Sequence, residues 1–179
     1  MIGARIRMRR KETGLSLREL GRRTSLTAGF LSQLENGHVS PSLDSLQRIA
    51  TALEVPMFFF LETKGALPDP VVRSGKRRHL YFSETHMGYD LLTPDLTHQM
   101  MGLLIRMEPG ACRLAEPLSK PTEQWMIVLK GRMRIVIKDK TYLLEEGDSI
   151  YYDGELLSEF ASASEAPLEV VCCITPPAL

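Results

Sequence analysis

The chain has 179 residues, 44% of them hydrophobic and 25% charged, with 22 Lys and Arg balancing 22 Asp and Glu. This length allows two ordinary domains, and no apolar run approaches the 18 or so residues of a membrane-spanning helix. Because the basic N-terminus leads into an amphipathic helix rather than a signal peptide, we expect a cytoplasmic protein.

The balanced total conceals an uneven distribution of charge. Residues 1–64 contain ten Lys and Arg but six Asp and Glu, a net charge of +4, which leaves −4 for the rest of the chain. A basic module attached to an acidic one fits phosphate contact at one end only. The alternative is that the basic run from Arg5 to Lys11 is a solvated helix face.

Five short helices are predicted in the first third of the chain, over residues 3–12, 16–24, 27–36, 41–53 and 56–61. Ser16 and Glu19 form a capping box, Thr27 is a second N-cap, and Asn36-Gly37 supplies a left-handed end. Leucines at positions 17, 20, 26, 31 and 34 turn one face of helices 2 and 3 toward a common core, and Gly21 lets the two helices cross closely. The opposite face of helix 3 carries small and amide side chains, which can enter a groove.

This segment, from Ile2 to Leu61, resembles the helix-turn-helix domain of phage repressors (the Cro/C1 or XRE type). The stretches that carry the resemblance are RIRMRRKETGLSLRELGRRTSLTAGFLSQLENG and SPSLDSLQRIATALEVPMFFFL. It implies an operator in double-stranded DNA and a structural ion pair between Arg10 and Glu35. Ser25 stands where the family has its turn glycine, so we expect a positive φ there at a cost of about 1 kcal/mol.

Residues for DNA contact divide between positioning and reading. Those able to meet phosphates lie at helix starts and in loops: Ser16, Arg18, Thr27, His38 and Ser40. The resemblance places base reading on Ala28, Gly29, Ser32 and Gln33. Gln33 can bond an adenine edge twice and Ala28 can touch a thymine methyl, but so small a set implies that DNA shape or the half-site spacing of a dimer supplies much of the specificity.

After a Gly- and Pro-containing stretch from Thr63 to Lys76, short β-type runs follow. We expect strands at residues 78–84, 87–92, 99–107, 123–130, 132–138, 141–144, 149–153, 157–162 and 168–175, which predict a sandwich or small barrel. Pro109-Gly110, TEQWMIVLKGRMRIVIKDKTYLLEEGDSIYYDG and VVCCITPP resemble the cupin domain behind repressor-type modules in bacterial regulators. The expected fold is α+β multidomain: a five-helix bundle over 1–62, a linker over 63–76 and a cupin (double-stranded β-helix, jelly-roll) barrel for sensing and dimerisation over 77–179.

Metal-binding cupins use two His, a Glu and a further His. On that pattern the four positions fall on Glu116, Leu118, Gln124 (or its neighbour Glu123) and Ser158, so no imidazole remains and we expect neither a tightly held metal nor a cofactor. The polar residues at the barrel mouth suit a small organic ligand: Arg113, Glu116, Gln124, Met126, Tyr151 and Ser158. The alternative is a satisfied interior in a domain that only dimerises.

The remaining reactive side chains receive structural interpretations. Cys112, Cys172 and Cys173 lack metal-ligand spacing and are interpreted as buried, reduced thiols. His79, His86 and His98 are assigned to surface or structural positions, and Trp125 should point away from Gln124, into core or an interface.

Two classes of function compete. The first is a homodimeric, non-enzymatic transcriptional regulator, expected to be a repressor, whose effector is an amino acid, peptide, amine or organic acid. The second is a metal-dependent cupin enzyme with a DNA-binding domain, against which the missing ligands count. A third, an antitoxin or other partner-binding repressor, would have a smaller or disordered C-terminal region.

Overall fold

A computed structural model describes residues 2–61, 69–96, 98–115 and 121–177. The chain falls into two compact units that divide between residues 65 and 66, within the segment expected to be the linker. Among the described residues no helix is both long enough and apolar enough to cross a bilayer.

The first unit is built from four α-helices: α1 Ile2–Glu12, α2 Leu17–Thr24, α3 Ala28–Glu35 and α4 Leu43–Ala52. The prediction of a fifth α-helix is wrong, because Met57–Leu61 forms a 3-10 helix. Five residues close too few i to i+4 hydrogen bonds to offset helix nucleation. The conformation of this segment follows instead from packing, which buries Phe58 and Phe60.

The predicted helix caps are present. The Ser16 hydroxyl accepts from the N–H of Glu19 at 3.1 Å, and the Glu19 carboxylate accepts from the N–H of Ser16 at 2.7 Å. The Thr27 hydroxyl accepts from the N–H of Phe30 at 3.1 Å. These bonds satisfy backbone donors that a helix start otherwise leaves without partners, so both helices begin where the sequence indicates.

The turn between α2 and α3 is tight in two places. Ser25 has φ of +54°, as expected for a residue at the position of a turn glycine. A Cβ added to Gly21 would lie 2.6 Å from the carbonyl oxygen of Leu26, which leaves no room for a side chain. Gly21 therefore permits the close approach that fixes α3 against α2.

A buried ion pair connects α1 to α3. Arg10 donates from Nε and Nη2 to the two carboxylate oxygens of Glu35, at 2.6 and 2.8 Å, and from Nη1 to the carbonyl of Leu15 at 2.8 Å. The hydrogen bonds to Glu35 raise the pKa of Arg10, against the opposing effect of burial. A Cβ on Gly3 would lie 2.0 Å from the carbonyl oxygen of Leu34, so α1 also rests directly on the backbone of α3.

Other basic residues of α1 also serve the fold of this unit. The guanidinium groups of Arg5 and Arg9 lie 5.3 and 5.9 Å from the centre of the Phe59 ring. Arg9 also donates to the carbonyl of Leu53 at 3.2 Å. The run from Arg5 to Lys11 is therefore more than a solvated face, and Arg7 and Lys11 are the members left exposed.

The second unit contains two antiparallel sheets. The larger has the order β1-β2-β3-β10-β5-β8 and the smaller the order β4-β9-β6-β7. The strands are β1 His79–Phe82, β2 Met87–Leu91, β3 Met101–Met107, β4 Cys112–Leu114, β5 Glu123–Lys130, β6 Met133–Ile137, β7 Lys140–Leu144, β8 Ser149–Asp153, β9 Leu157–Ser162 and β10 Leu168–Thr175. All nine expected strands occur, and β4, too short to show an alternating pattern, is additional.

The expected closed barrel is wrong for the described residues, because the two sheets do not join. Strands β7 and β8 are both sheet edges, and the turn between them carries the chain from the smaller sheet to the larger without pairing its flanking strands. The core lies between the sheets, where alternate residues of β10 are buried: Leu168, Val170, Cys172 and Ile174.

We predict that Glu35→Ala lowers the free energy of unfolding of the first unit by about 3 kcal/mol, because it leaves the guanidinium of Arg10 buried without its carboxylate. Urea unfolding followed by far-ultraviolet circular dichroism, which reports helix content, measures this change. The control is Glu12→Ala on the same helix as Arg10, whose exposed carboxylate lies 3.6 Å from Arg9 and whose loss should cost no more than about 0.5 kcal/mol. Equal losses in the two variants would contradict the prediction.

Candidate functional site

The side of α3 that faces away from the core is open to solvent. Leu31 and Leu34 on its inner side are buried, whereas Gly29 and Gln33 are exposed and Ala28 and Ser32 are partly exposed. The first turn of α3 contains no acidic residue, so nothing there repels a phosphate. The helix therefore presents a small, polar and uncharged surface.

The five residues predicted to meet phosphates are all exposed: Ser16, Arg18, Thr27, His38 and Ser40. The hydroxyls of Ser16 and Thr27 are already engaged as caps, which fixes the helix N-termini on which those residues lie. Together with α3, the structure thus places all nine predicted DNA-contact residues at the surface of the first unit.

Gly29 is unexplained by packing. A Cβ added there would meet nothing nearer than the Thr27 hydroxyl, at 4.0 Å, and the residue is helical rather than left-handed. Glycine inside a helix costs about 1 kcal/mol relative to alanine. A glycine that the fold does not need, on the exposed side of α3, is what close approach to a DNA groove would require.

In the second unit Gln124 lies in a buried hydrogen-bonded cluster. Its side chain is 3% exposed, its Oε1 accepts from the Tyr152 hydroxyl at 2.9 Å, and its Nε2 donates to the Thr122 hydroxyl at 3.2 Å. The Tyr152 hydroxyl also lies 3.6 Å from the sulfur of Met126. The polar groups of this cluster satisfy one another.

This part of the centre does not fit a metal ion. Burial raises the pKa of Tyr152 and of the adjacent Cys172, so both stay protonated, and a phenol, a thiol and an amide provide no anionic ligand. Over the described ranges no group of three or more His, Cys, Asp and Glu is arranged to hold a metal. Glu116 and Leu118 lie outside the described residues.

The predicted neighbourhood of Gln124 is wrong for Tyr151. Gln124 pairs with Tyr152, and Tyr151 pairs with Trp125 on the other face of the sheet, where it is 63% exposed. A shift of one residue moves a side chain to the opposite face, and the register between β5 and β8 cannot be read from the sequence. Trp125 does point away from Gln124, as predicted.

Two further members of the predicted pocket are separate from this cluster. Ser158 is exposed and its hydroxyl donates to the carbonyl of Lys138 at 3.2 Å. Arg113 is half-buried on β4, opposite Phe160 of β9. Among the described members, the structure therefore brings together only Gln124 and Met126, and it adds Tyr152 and Thr122.

An open cleft of about 560 Å³ lies between the edge strands β7 and β8. Its lining includes Tyr142 and Leu144 from β7 and Ile150, Tyr151 and Tyr152 from β8. The volume is within the range of small-molecule sites. Because the cleft depends on two sheet edges that face each other, no sequence pattern indicated it.

The remaining cysteines and histidines occupy surface or strand positions. Cys172 is buried, but Cys173 is partly exposed and Cys112 is exposed, so the prediction of buried thiols is wrong for Cys112, whose strand β4 is a sheet edge. The three histidines lie beside carboxylates: His79 by Asp90, His86 by Glu108 and His98 by Asp95. Each has at least half of its side chain exposed.

Comparison with known proteins defines the class. A family model described as helix-turn-helix matches residues 6–60, and a cupin-domain model matches residues 103–174. The protein is therefore a transcriptional regulator with a helix-turn-helix domain and a cupin domain. Within that class, it belongs to the XRE-type helix-turn-helix regulators that carry a C-terminal cupin domain.

The chain is similar to regulators from several bacteria. It is 23% identical to the HTH-type transcriptional regulator SutR of Escherichia coli, over 87% of this chain and 84% of that protein. It is 37% identical to the HTH-type transcriptional regulator SinR of Bacillus subtilis over 65 residues, which are 36% of this chain and 59% of SinR. A crystal structure of an HTH_3 family regulator from Vibrio cholerae shares the fold, with a TM-score of 0.77 at 22% identity over 97% of this chain and 94% of that one.

We predict that Tyr152→Phe destabilises the second unit by about 1–3 kcal/mol, because Gln124 loses the donor to its buried carbonyl oxygen. Thermal unfolding of the full chain measures the change. Tyr151→Phe is the matched control, since it removes a hydroxyl from the exposed neighbouring tyrosine, and its transition should stay at the wild-type temperature. A transition for Tyr152→Phe at that same temperature would show that the buried hydrogen bond contributes nothing.

Proposed function

We propose that this protein is a cytoplasmic transcriptional repressor that binds its operator as a homodimer and responds to a small molecule held in a metal-free cupin domain. The observation that carries the DNA-binding part is the surface of α3, which is uncharged, built from small residues and includes a glycine that packing does not require. The ion pair between Arg10 and Glu35 holds this surface in place.

The exposed residues suggest a division of roles on DNA. Gln33 and Ser32 are the side chains able to bond base edges, and Ala28 offers a methyl group to thymine. Arg18, His38 and Ser40, with the starts of α2 and α3, would position the unit on phosphates. So few base contacts support a dimer, in which half-site spacing adds the missing selectivity.

The alternative, a cupin enzyme with a DNA-binding domain, finds less support. Tyr152 and Gln124 are buried, neutral and bonded to each other, so neither is poised to act as an acid, a base or a metal ligand. The relatives reported above carry the names of transcriptional regulators.

The effector would be an amino acid, a short peptide, an amine or an organic acid. One route to the interior is the cleft between β7 and β8, which reaches Tyr152. The alternative site is the domain mouth, which would use Arg113, Gln124, Ser158 and also Glu116. In either place the effector regulates only if it binds DNA-competent and incompetent dimers with different affinities.

We expect Gly29→Ala to raise the stability of the first unit by up to about 1 kcal/mol and to weaken operator binding by at least about tenfold, because the new methyl group holds α3 away from the groove. Binding is measured by fluorescence anisotropy at fixed salt, on a duplex selected from a random library by the wild-type protein.

The control for this variant is Gly75→Ala, at a second glycine where a Cβ has open space, which should leave DNA affinity unchanged. A Gly29→Ala protein that binds as tightly as wild type would show that α3 does not approach DNA closely at this residue. A wild-type protein that selects no duplex from the library would overturn the proposed function.

For the effector, a thermal-shift screen of amino acids, short peptides, polyamines and organic acids should find a compound that raises the melting temperature, because a ligand of the folded state stabilises it by mass action. Protein purified without chelator should contain less than stoichiometric iron, zinc or nickel. Stoichiometric metal with no response to any organic compound would favour the cupin enzyme instead.

A further inference from the structure

Strands β5 and β10 are apolar on both faces. They contain the uninterrupted runs WMIVL and VVCCI, and they pair with each other in the larger sheet. An antiparallel sheet with one face in the core and one in water alternates apolar and polar residues. Uninterrupted runs on neighbouring strands therefore indicate that the outer face of this sheet is also covered.

The outward apolar residues form one contiguous surface, here called the outer patch: Trp125, Ile127, Leu129, Tyr151, Val171 and Cys173. Trp125 pairs with Tyr151 on one side and Cys173 on the other, and Ile127 pairs with Val171. Tyr151 is 63%, Leu129 46% and Trp125 38% exposed. A contiguous patch with exposed Trp and Tyr is typical of a protein interface.

The two ends of the outer patch carry opposite charge. At one end Glu123 pairs with Asp153, and the Glu123 carboxylate also accepts a hydrogen bond from Tyr151. At the other end Lys130 pairs with Glu169, which in turn lies 3.4 Å from Arg106. One end is therefore acidic, whereas basic residues outnumber acidic ones at the other.

We propose that the outer patch is the surface through which two copies of this chain dimerise, with the two-fold axis lying between the facing sheets and running across the strands. Such an axis sets the acidic end of one copy against the basic end of the other, and an axis along the strands would set like charges together. The inference rests on the proposed homodimer and names its surface. The occupant is a second copy because the patch complements itself.

The first test is the oligomeric state of Leu129→Glu, measured by sedimentation velocity over a range of concentrations. We expect the dissociation constant of the dimer to rise at least about tenfold. The matched control is Leu143→Glu, which changes a leucine that is 53% exposed on the smaller sheet and should dimerise as wild type. A monomeric wild type, or equal effects in the two variants, would overturn the proposal.

Charge reversal tests the direction of the axis. Lys130→Glu alone, and Glu123→Lys with Asp153→Lys, should each weaken the homodimer by setting like charges against each other. Mixing the two variants should restore association, because both end contacts of the mixed dimer are then of opposite charge. Mixed dimers no tighter than either variant alone would overturn the proposed arrangement.

Trp125 is the single tryptophan of the chain, so its fluorescence reports on the patch directly. Emission should move to longer wavelength on dilution, with the midpoint found by sedimentation. Emission that stays at short wavelength in a monomer would mean that another part of the same chain covers the patch, which would overturn the dimer. None of these measurements uses DNA: a dimer that binds no operator would refute only the proposed function, and operator binding with an intact Leu129→Glu dimer would refute only this inference.

Discussion

The position of α3 depends on the buried pair between Arg10 and Glu35. Two buried charges are costly to desolvate, and the pair is favourable only when its hydrogen bonds are complete. Here both carboxylate oxygens are bonded, and the third donor of Arg10 reaches Leu15 in the segment between α1 and α2. One side chain thus joins α1, the following loop and α3, while Gly3 lets α1 rest on the backbone of α3.

The helical unit could be predicted closely because its signals are local. The capping box at Ser16, the cap at Thr27 and the turn at Ser25 each depend on residues a few positions apart, and all three appear where the sequence placed them. The error at Met57–Leu61 has the opposite cause. There the conformation is decided by the burial of aromatic rings against other helices, which no local pattern contains.

In the second unit the strands could be predicted but the site could not. Alternation and turn residues located nine strands, yet the choice between Tyr151 and Tyr152 depends on the register of β5 with β8, which is a contact between distant segments. The same reason hid the cleft between β7 and β8. The runs in β5 and β10 were visible in the sequence, but they show an unmet need for burial only once the sheet order is known.

Sensing and dimerisation, if both operate as proposed, meet on one strand. Tyr152 of β8 lies in the buried cluster and lines the cleft, and the preceding residue, Tyr151, belongs to the outer patch. Consecutive residues of a strand point to opposite faces, so a molecule that displaces β8 from inside the domain also moves Tyr151 at the patch. An edge strand can shift in this way more readily than a central one, because it is hydrogen-bonded on one side only. The neutral interior thus needs no catalytic group to act: a change in the packing of β8 is enough to alter how two copies meet, and with that the spacing of their DNA-reading helices.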